Sequence, residues 1–150
     1  MLKKTTIKDV DAYIKQNGYV KRLTNISFSF RYLTTNKSYG LDSLLVGNSK
    51  VMQAETQSYL LSRMSELSKS NMEAEKRKGK INGCEAIPVQ TLTGLKESIL
   101  NMSEIIDQNS VLTVFRFNRN RMRLICKTDS DNSNLLYVLA FDTDYSTYNH

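Results

Sequence analysis

Residues 111–141 constrain the fold more than any other part of this 150-residue chain. Two runs rich in β-branched, aromatic and aliphatic residues, 111–117 and 121–127, flank Asn118-Arg119-Asn120. Asparagine tolerates the left-handed backbone of tight turns, so the segment predicts a β-hairpin. A polar turn at 128–134 leads into 135–141, which is apolar on both faces, as a central or fully covered strand would be.

A three-residue turn at 118–120 sets residue 117 opposite 121, 115 opposite 123 and 113 opposite 125. Leu112, Val114, Met122, Leu124 and Cys126 then form one apolar face, interrupted by Arg116. Phe115, Phe117, Arg121, Arg123 and Lys127 form the other, with Arg119 at the turn tip. Rings that stack on unpaired bases beside cations that hold phosphates are the mixture used by nucleic-acid sites. The nucleic-acid candidates are therefore Phe115, Phe117, Arg119, Arg121, Arg123 and Lys127. The same face also reads as a solvated sheet surface, with its phenylalanines under a helix.

Charge sharpens the choice. The chain carries 21 Lys and Arg against 15 Asp and Glu, a net +6. Residues 111–127 hold five bases and no acid, whereas 128–150 hold four aspartates and no base. The basic hairpin faces either a ligand or the acidic segment after it. A second basic cluster, Lys76-Arg77-Lys78 with Lys80, reads as a solvated helix end that could extend a binding surface.

The remaining elements follow from apolar spacing. Thr6 and Asp9 suit the start of a short N-terminal helix, with Ile7, Val10 and Ile14 on one face and Asn17-Gly18 as a stop. Alternation in residues 26–33 predicts a strand, and Leu44-Leu45-Val46 hints at another. Asn48-Ser49 opens a long helix over about 50–78, with Met52, Tyr59, Leu60, Met64 and Leu67 as its stripe and room for a break in its middle. Residues 81–90, including Pro88, read as a connection. Leu92, Leu95, Ile99, Met102 and Ile106 recur at helical spacing and predict an amphipathic helix from near Thr93. The sum is a single α+β domain over 1–150. An antiparallel sheet of about four strands carries the long helix and the amphipathic helix mainly on one face.

Several functions are excluded or disfavoured. The longest apolar run is seven residues, at 135–141, whereas a membrane span needs about 20. The charged N-terminus has no apolar run after it, which predicts no secretory signal. Cys84 and Cys126 are too few for a disulfide scaffold and read as reduced thiols of a cytosolic protein. No GxGxxG, Walker, HExxH or CxxC pattern occurs, so neither cofactor nor metal is expected. Residues 129–134 lack the glycine and glutamate of a calcium loop and read as a polar turn. His150 is the only histidine and the last residue.

The order of strands and helices, the arginines in the late strands, and Tyr145, Tyr148 and His150 near the end together resemble the RelE/HigB/YoeB group of ribosome-dependent ribonuclease toxins. The resemblance covers about the last 40 residues and rests on no specific motif. It implies that Arg121 and Arg123 hold a scissile phosphate, with Tyr148 or His150 moving a proton. The chain departs from the group in its long helix and in the residues before its first strand.

Three expectations result. The first is a small basic cytosolic accessory or regulatory protein, of the kind phages and plasmids carry, that contacts RNA or single-stranded nucleic acid through the hairpin. The second is the ribonuclease. The third is an interaction module or inhibitor with an acidic protein partner. The two helical stripes pair within the chain or across a homodimer, and a single core favours the former.

Overall fold

A computed structural model describes residues 23–45, 47–102 and 104–148. The expected N-terminal helix lies outside the described residues. The strands are β1 (Ser27–Ser29), β2 (Cys84–Pro88), β3 (Val111–Phe117), β4 (Met122–Thr128) and β5 (Leu135–Asp142). They form one sheet in the order β1-β5-β4-β3-β2. β2–β3, β3–β4 and β4–β5 are antiparallel, and β1 runs parallel to β5. The α+β class is as expected, but the sheet is mixed and has five strands.

β1 is shorter than the 26–33 alternation suggests. A turn at Phe30, where the Leu33 amide bonds the Phe30 carbonyl, takes the chain off the sheet edge. β2 occupies the stretch expected to be a connection. It is the other edge strand, and Pro88, which has no amide to donate, is its last residue. The Leu44-Leu45-Val46 hint resolves as a short 3-10 turn at Leu41–Leu45.

The long helix is interrupted. α1 (Lys50–Ser68) starts where Ser49 accepts a bond from the Met52 amide. α2 (Met72–Arg77) starts where Asn71 accepts from Ala74 N at 2.9 Å. Asn71 has extended backbone at φ −135, so its side chain restarts the helix in a new direction. The Ser70 carbonyl in the break receives the Ile26 amide, which ties the entry to β1 to the end of α1. Gly79 at φ +75 ends α2 and opens a single turn, α3 (Gly79–Asn82). At Gly83 a Cβ would lie 2.0 Å from the Glu75 carbonyl oxygen, so only glycine lets the chain pass from α3 into β2.

Both faces of the sheet are covered. Leu60, Leu67 and Met72 pack on Phe115, Phe117, Leu124 and Cys126 on one side. Leu95, Ile99 and Ile106 pack on Leu112, Val114 and Ile125 on the other. The second apolar stripe thus lies opposite α1, not beside it, and each stripe has its own sheet face. It is also mostly non-helical, since only α4 (Lys96–Leu100) is a helix. Gly94 at φ +68 and the Thr93 amide, bonded to Thr147 O at 2.6 Å, delay its start. β5 lies between β1 and β4 with both faces covered, which accounts for its continuous apolar run. A bulge where β4 steps from Ile125 to Cys126 leaves Leu139 as an extra residue in β5.

Arg63 pins α1 to the sheet. Its Nε donates to Arg116 O, its Nη2 reaches the carbonyls of Asn82 and Gly83 at 3.1 Å, and its guanidinium lies 6.0 Å from the Phe115 ring centre. No described helix is long and apolar enough to cross a membrane.

Candidate nucleic-acid interface

The hairpin turn has four residues. Phe117 pairs with Met122, Phe115 with Leu124 and Thr113 with Cys126. Asn118, Arg119 and Asn120 all adopt left-handed backbone, at φ 49, 54 and 66, and Arg121 N bonds Asn118 O at 3.1 Å. Relative to a three-residue turn this slides β4 by one position, which turns every β4 side chain to the other face with respect to β3. The expected basic-aromatic face is therefore divided. Phe115 and Phe117 are buried under α1 together with Met122, Leu124 and Cys126. Arg123 is on the opposite face and fully buried.

Arg123 is held from all sides. Its Nη1 donates to Asp142 Oδ2 at 3.1 Å, to Thr147 Oγ1 at 3.3 Å and to Tyr148 O at 3.4 Å. The rings of Tyr145 and Tyr148 each lie 3.6 Å from the guanidinium carbon. Asp142 also accepts the amides of Ser146 and Thr147. Tyr148 donates its hydroxyl to Glu85, and burial with that bond pushes its pKa well above the ordinary tyrosine range. Glu85 pairs with Arg116 at 3.4 Å as well. These residues close the C-terminal segment over the sheet. In this arrangement Arg123 presents no surface to a phosphate and the Tyr148 hydroxyl is already bonded to a carboxylate. His150 lies outside the described residues.

Lys127, half-buried, is at the far end of β4 from the tip. It lines a small cleft with Glu104, Asp107, Asp129 and Tyr137. Asp129 accepts the Tyr137 hydroxyl at 2.8 Å and the amides of Asp131 and Asn132, so the polar turn is organised by its own side chain. The second basic cluster is partly neutralised, with Arg77 paired to Glu73 and Lys78 to Glu75 at 2.7 Å.

Arg119 and Arg121 remain, both exposed at the turn. They border a cleft of about 590 Å³ between the tip and α1, whose helical wall includes Met52, Glu55 and Tyr59. A second cleft of about 300 Å³ adjoins it, reaching Ser62 and Arg63, and Tyr59, Asn118 and Arg119 line both. Tyr59 is 39% exposed and Met52 51% exposed. Sequence reasoning placed both in the buried stripe of the helix. The residues that α1 buries are Thr56, Leu60 and Leu67, a narrower stripe that leaves the neighbouring Met52 and Tyr59 to the cleft.

The larger cleft thus brings together two exposed cations, an exposed ring and one carboxylate between a hairpin and a helix. No protein-family model, curated protein or solved structure matches this chain.

Proposed function

We propose that the protein binds nucleic acid at the cleft between the β3–β4 tip and α1, with Arg119 and Arg121 as its phosphate contacts. The observation that carries this reading is that both arginines are exposed on one cleft of about 590 Å³. A turn of three consecutive left-handed residues fixes where they project. Neither forms an ion pair among the described residues, so their charge remains available to an anion. Phosphate oxygens suit the arginine fork, and displaced counterions supply the driving force. A cytosolic accessory or regulatory protein, of the kind phages and plasmids carry, fits this reading, with Cys84 and Cys126 both free thiols.

The ribonuclease reading needs Arg123 and Tyr148 at an open site, and their enclosure in the core weighs against it. Binding is tested by fluorescence anisotropy of labelled RNA and DNA oligonucleotides over a salt series. Affinity should fall steeply with salt. Replacing Arg119 or Arg121 with alanine should lower the slope of log affinity against log salt by about 1 each. Absence of binding at low salt would overturn the proposal.

A further inference from the structure

We infer that the cleft selects a single strand and reads one base of it, the base lying on the Tyr59 ring with its amino edge on Glu55. This rests on the nucleic-acid reading above and goes further in naming the substrate class and the base contact.

Tyr59 and Glu55 are four residues apart on α1, so they stand one above the other on the same helix face. Both line the cleft that Arg119 and Arg121 border. The Tyr59 ring also lines the adjoining cleft, placing it where the two meet, open to a flat partner. Bases in a duplex are already stacked on one another and offer no free face. An unpaired base does, and stacking on a ring is worth about 1–3 kcal/mol.

Glu55 is the informative residue. A carboxylate repels phosphate and accepts hydrogen bonds only. Inside a cleft built for a strand, its natural partner is a base donor. Cytosine presents an N4 amino group where thymine and uracil present the O4 carbonyl. With the ring of Tyr59 under the base and Glu55 at its edge, an amino-bearing base gains a charge-assisted bond and a carbonyl-bearing one meets repulsion.

The experiment uses the full chain and labelled thymidylate oligomers of about ten nucleotides, within the range one small domain covers. One oligomer carries a single central cytosine, and the matching duplex and the uridylate RNA pair complete the set. The cytosine strand should bind about tenfold tighter than the all-thymine strand, the lower end of a specific base contact. The duplex should bind more weakly than either. Glu55→Gln should remove the cytosine preference while leaving the thymine strand bound. Tyr59→Ala should lose most single-strand affinity, and Tyr59→Phe, which keeps the ring, should retain it. Equal binding of cytosine and thymine strands, or a duplex bound as tightly as a single strand, would overturn this inference and leave the nucleic-acid reading standing. No binding of any oligonucleotide would overturn both.

Discussion

Arg116 and Arg123 stand directly opposite each other on β3 and β4, two cations at paired register positions. Like charges so placed repel. The strands on either side resolve the conflict. Glu85 on β2 bonds Arg116, and Asp142, opposite Arg123 on β5, bonds Arg123. A row of charges, negative, positive, positive, negative, therefore crosses the sheet and is sealed by Tyr145 and Tyr148.

Removing one end of that row should be costly. Arg123 and Asp142 are both fully buried, so Asp142→Asn keeps the shape but leaves a buried cation without its counter-charge, and its amide oxygen replaces only one of the two oxygens that accept the Ser146 and Thr147 amides. The expected loss is about 3 kcal/mol, read as a lower urea midpoint. Adding Arg123→Met should recover part of it, because a buried pair is replaced more cheaply than it is broken. Strict additivity in the double-mutant cycle would disprove the coupling.

The row also shows what sequence could and could not reveal. The alternation that announced β3 and β4 is a local property, and it was legible. Their relative register depends on whether the turn holds three residues or four, and Asn118-Arg119-Asn120 permits both. That single residue decided that Phe115 and Phe117 go to the core and Arg123 to the opposite face. The partner that neutralises Arg123 is 19 positions away on another strand, which no local pattern encodes. The break in the long helix had a local cause in Asn71, yet the same residue type is tolerated inside helices. The stripe 92–106 was correctly apolar, but sheet packing, not helix periodicity, uses it. At the candidate site, Arg119 and Arg121 were visible as charges on a turn. Tyr59 and Glu55 were not, because the hairpin that makes their helix face into a cleft is far away in the chain.

The two thiols should differ sharply in reactivity. Burial pushes the Cys126 thiol far up, and it is fully enclosed in the core. Burial also raises Cys84, which is only half-buried on β2 beside Lys76 and Arg63. The thiolate is the reactive form. An alkylating reagent near neutral pH should therefore label Cys84 slowly and Cys126 only upon unfolding, as read by mass spectrometry of intact and urea-treated protein. Equal labelling of both in the folded state would contradict the burial of β4.

Asp129 and Tyr137 should mark the stability profile at both ends of the pH scale. The Tyr137 hydroxyl, with the Asp131 and Asn132 amides and nearby Lys127, holds the Asp129 carboxyl below its ordinary range. Its contribution is complete above the unfolded-state value near 4 and is lost as pH falls through the lower folded value. The same bond, aided by burial, raises Tyr137. That contribution is complete below about 10 and is lost as pH rises through the higher folded value. Tyr137→Phe should move the Asp129 carboxyl carbon titration up toward an ordinary aspartate and shrink the acid limb of the stability curve. An unchanged titration would show that the backbone amides alone set it.

The hairpin tip offers a separation of stability from binding. Arg119 sits at φ 54, a left-handed conformation that costs an L-residue with a Cβ roughly 1–2 kcal/mol and glycine almost nothing. The flanking Asn118 and Asn120, at φ 49 and 66, are of the residue type that pays least there, so the cost is concentrated on Arg119. Its side chain is exposed and lines both clefts without a bond among the described residues, so the fold gains little from it. Arg119→Gly should therefore raise the unfolding midpoint, by up to about 1 kcal/mol once the freer unfolded chain is counted, while weakening nucleic-acid binding. Arg119→Lys keeps the strain and the charge, and should leave stability unchanged with binding reduced less. A strained residue that lowers stability and supports binding is the pattern expected where function holds a conformation the fold alone would not choose. If Arg119→Gly instead destabilised the protein, the tip would be a structural element, and the arginine's place there would owe nothing to a ligand.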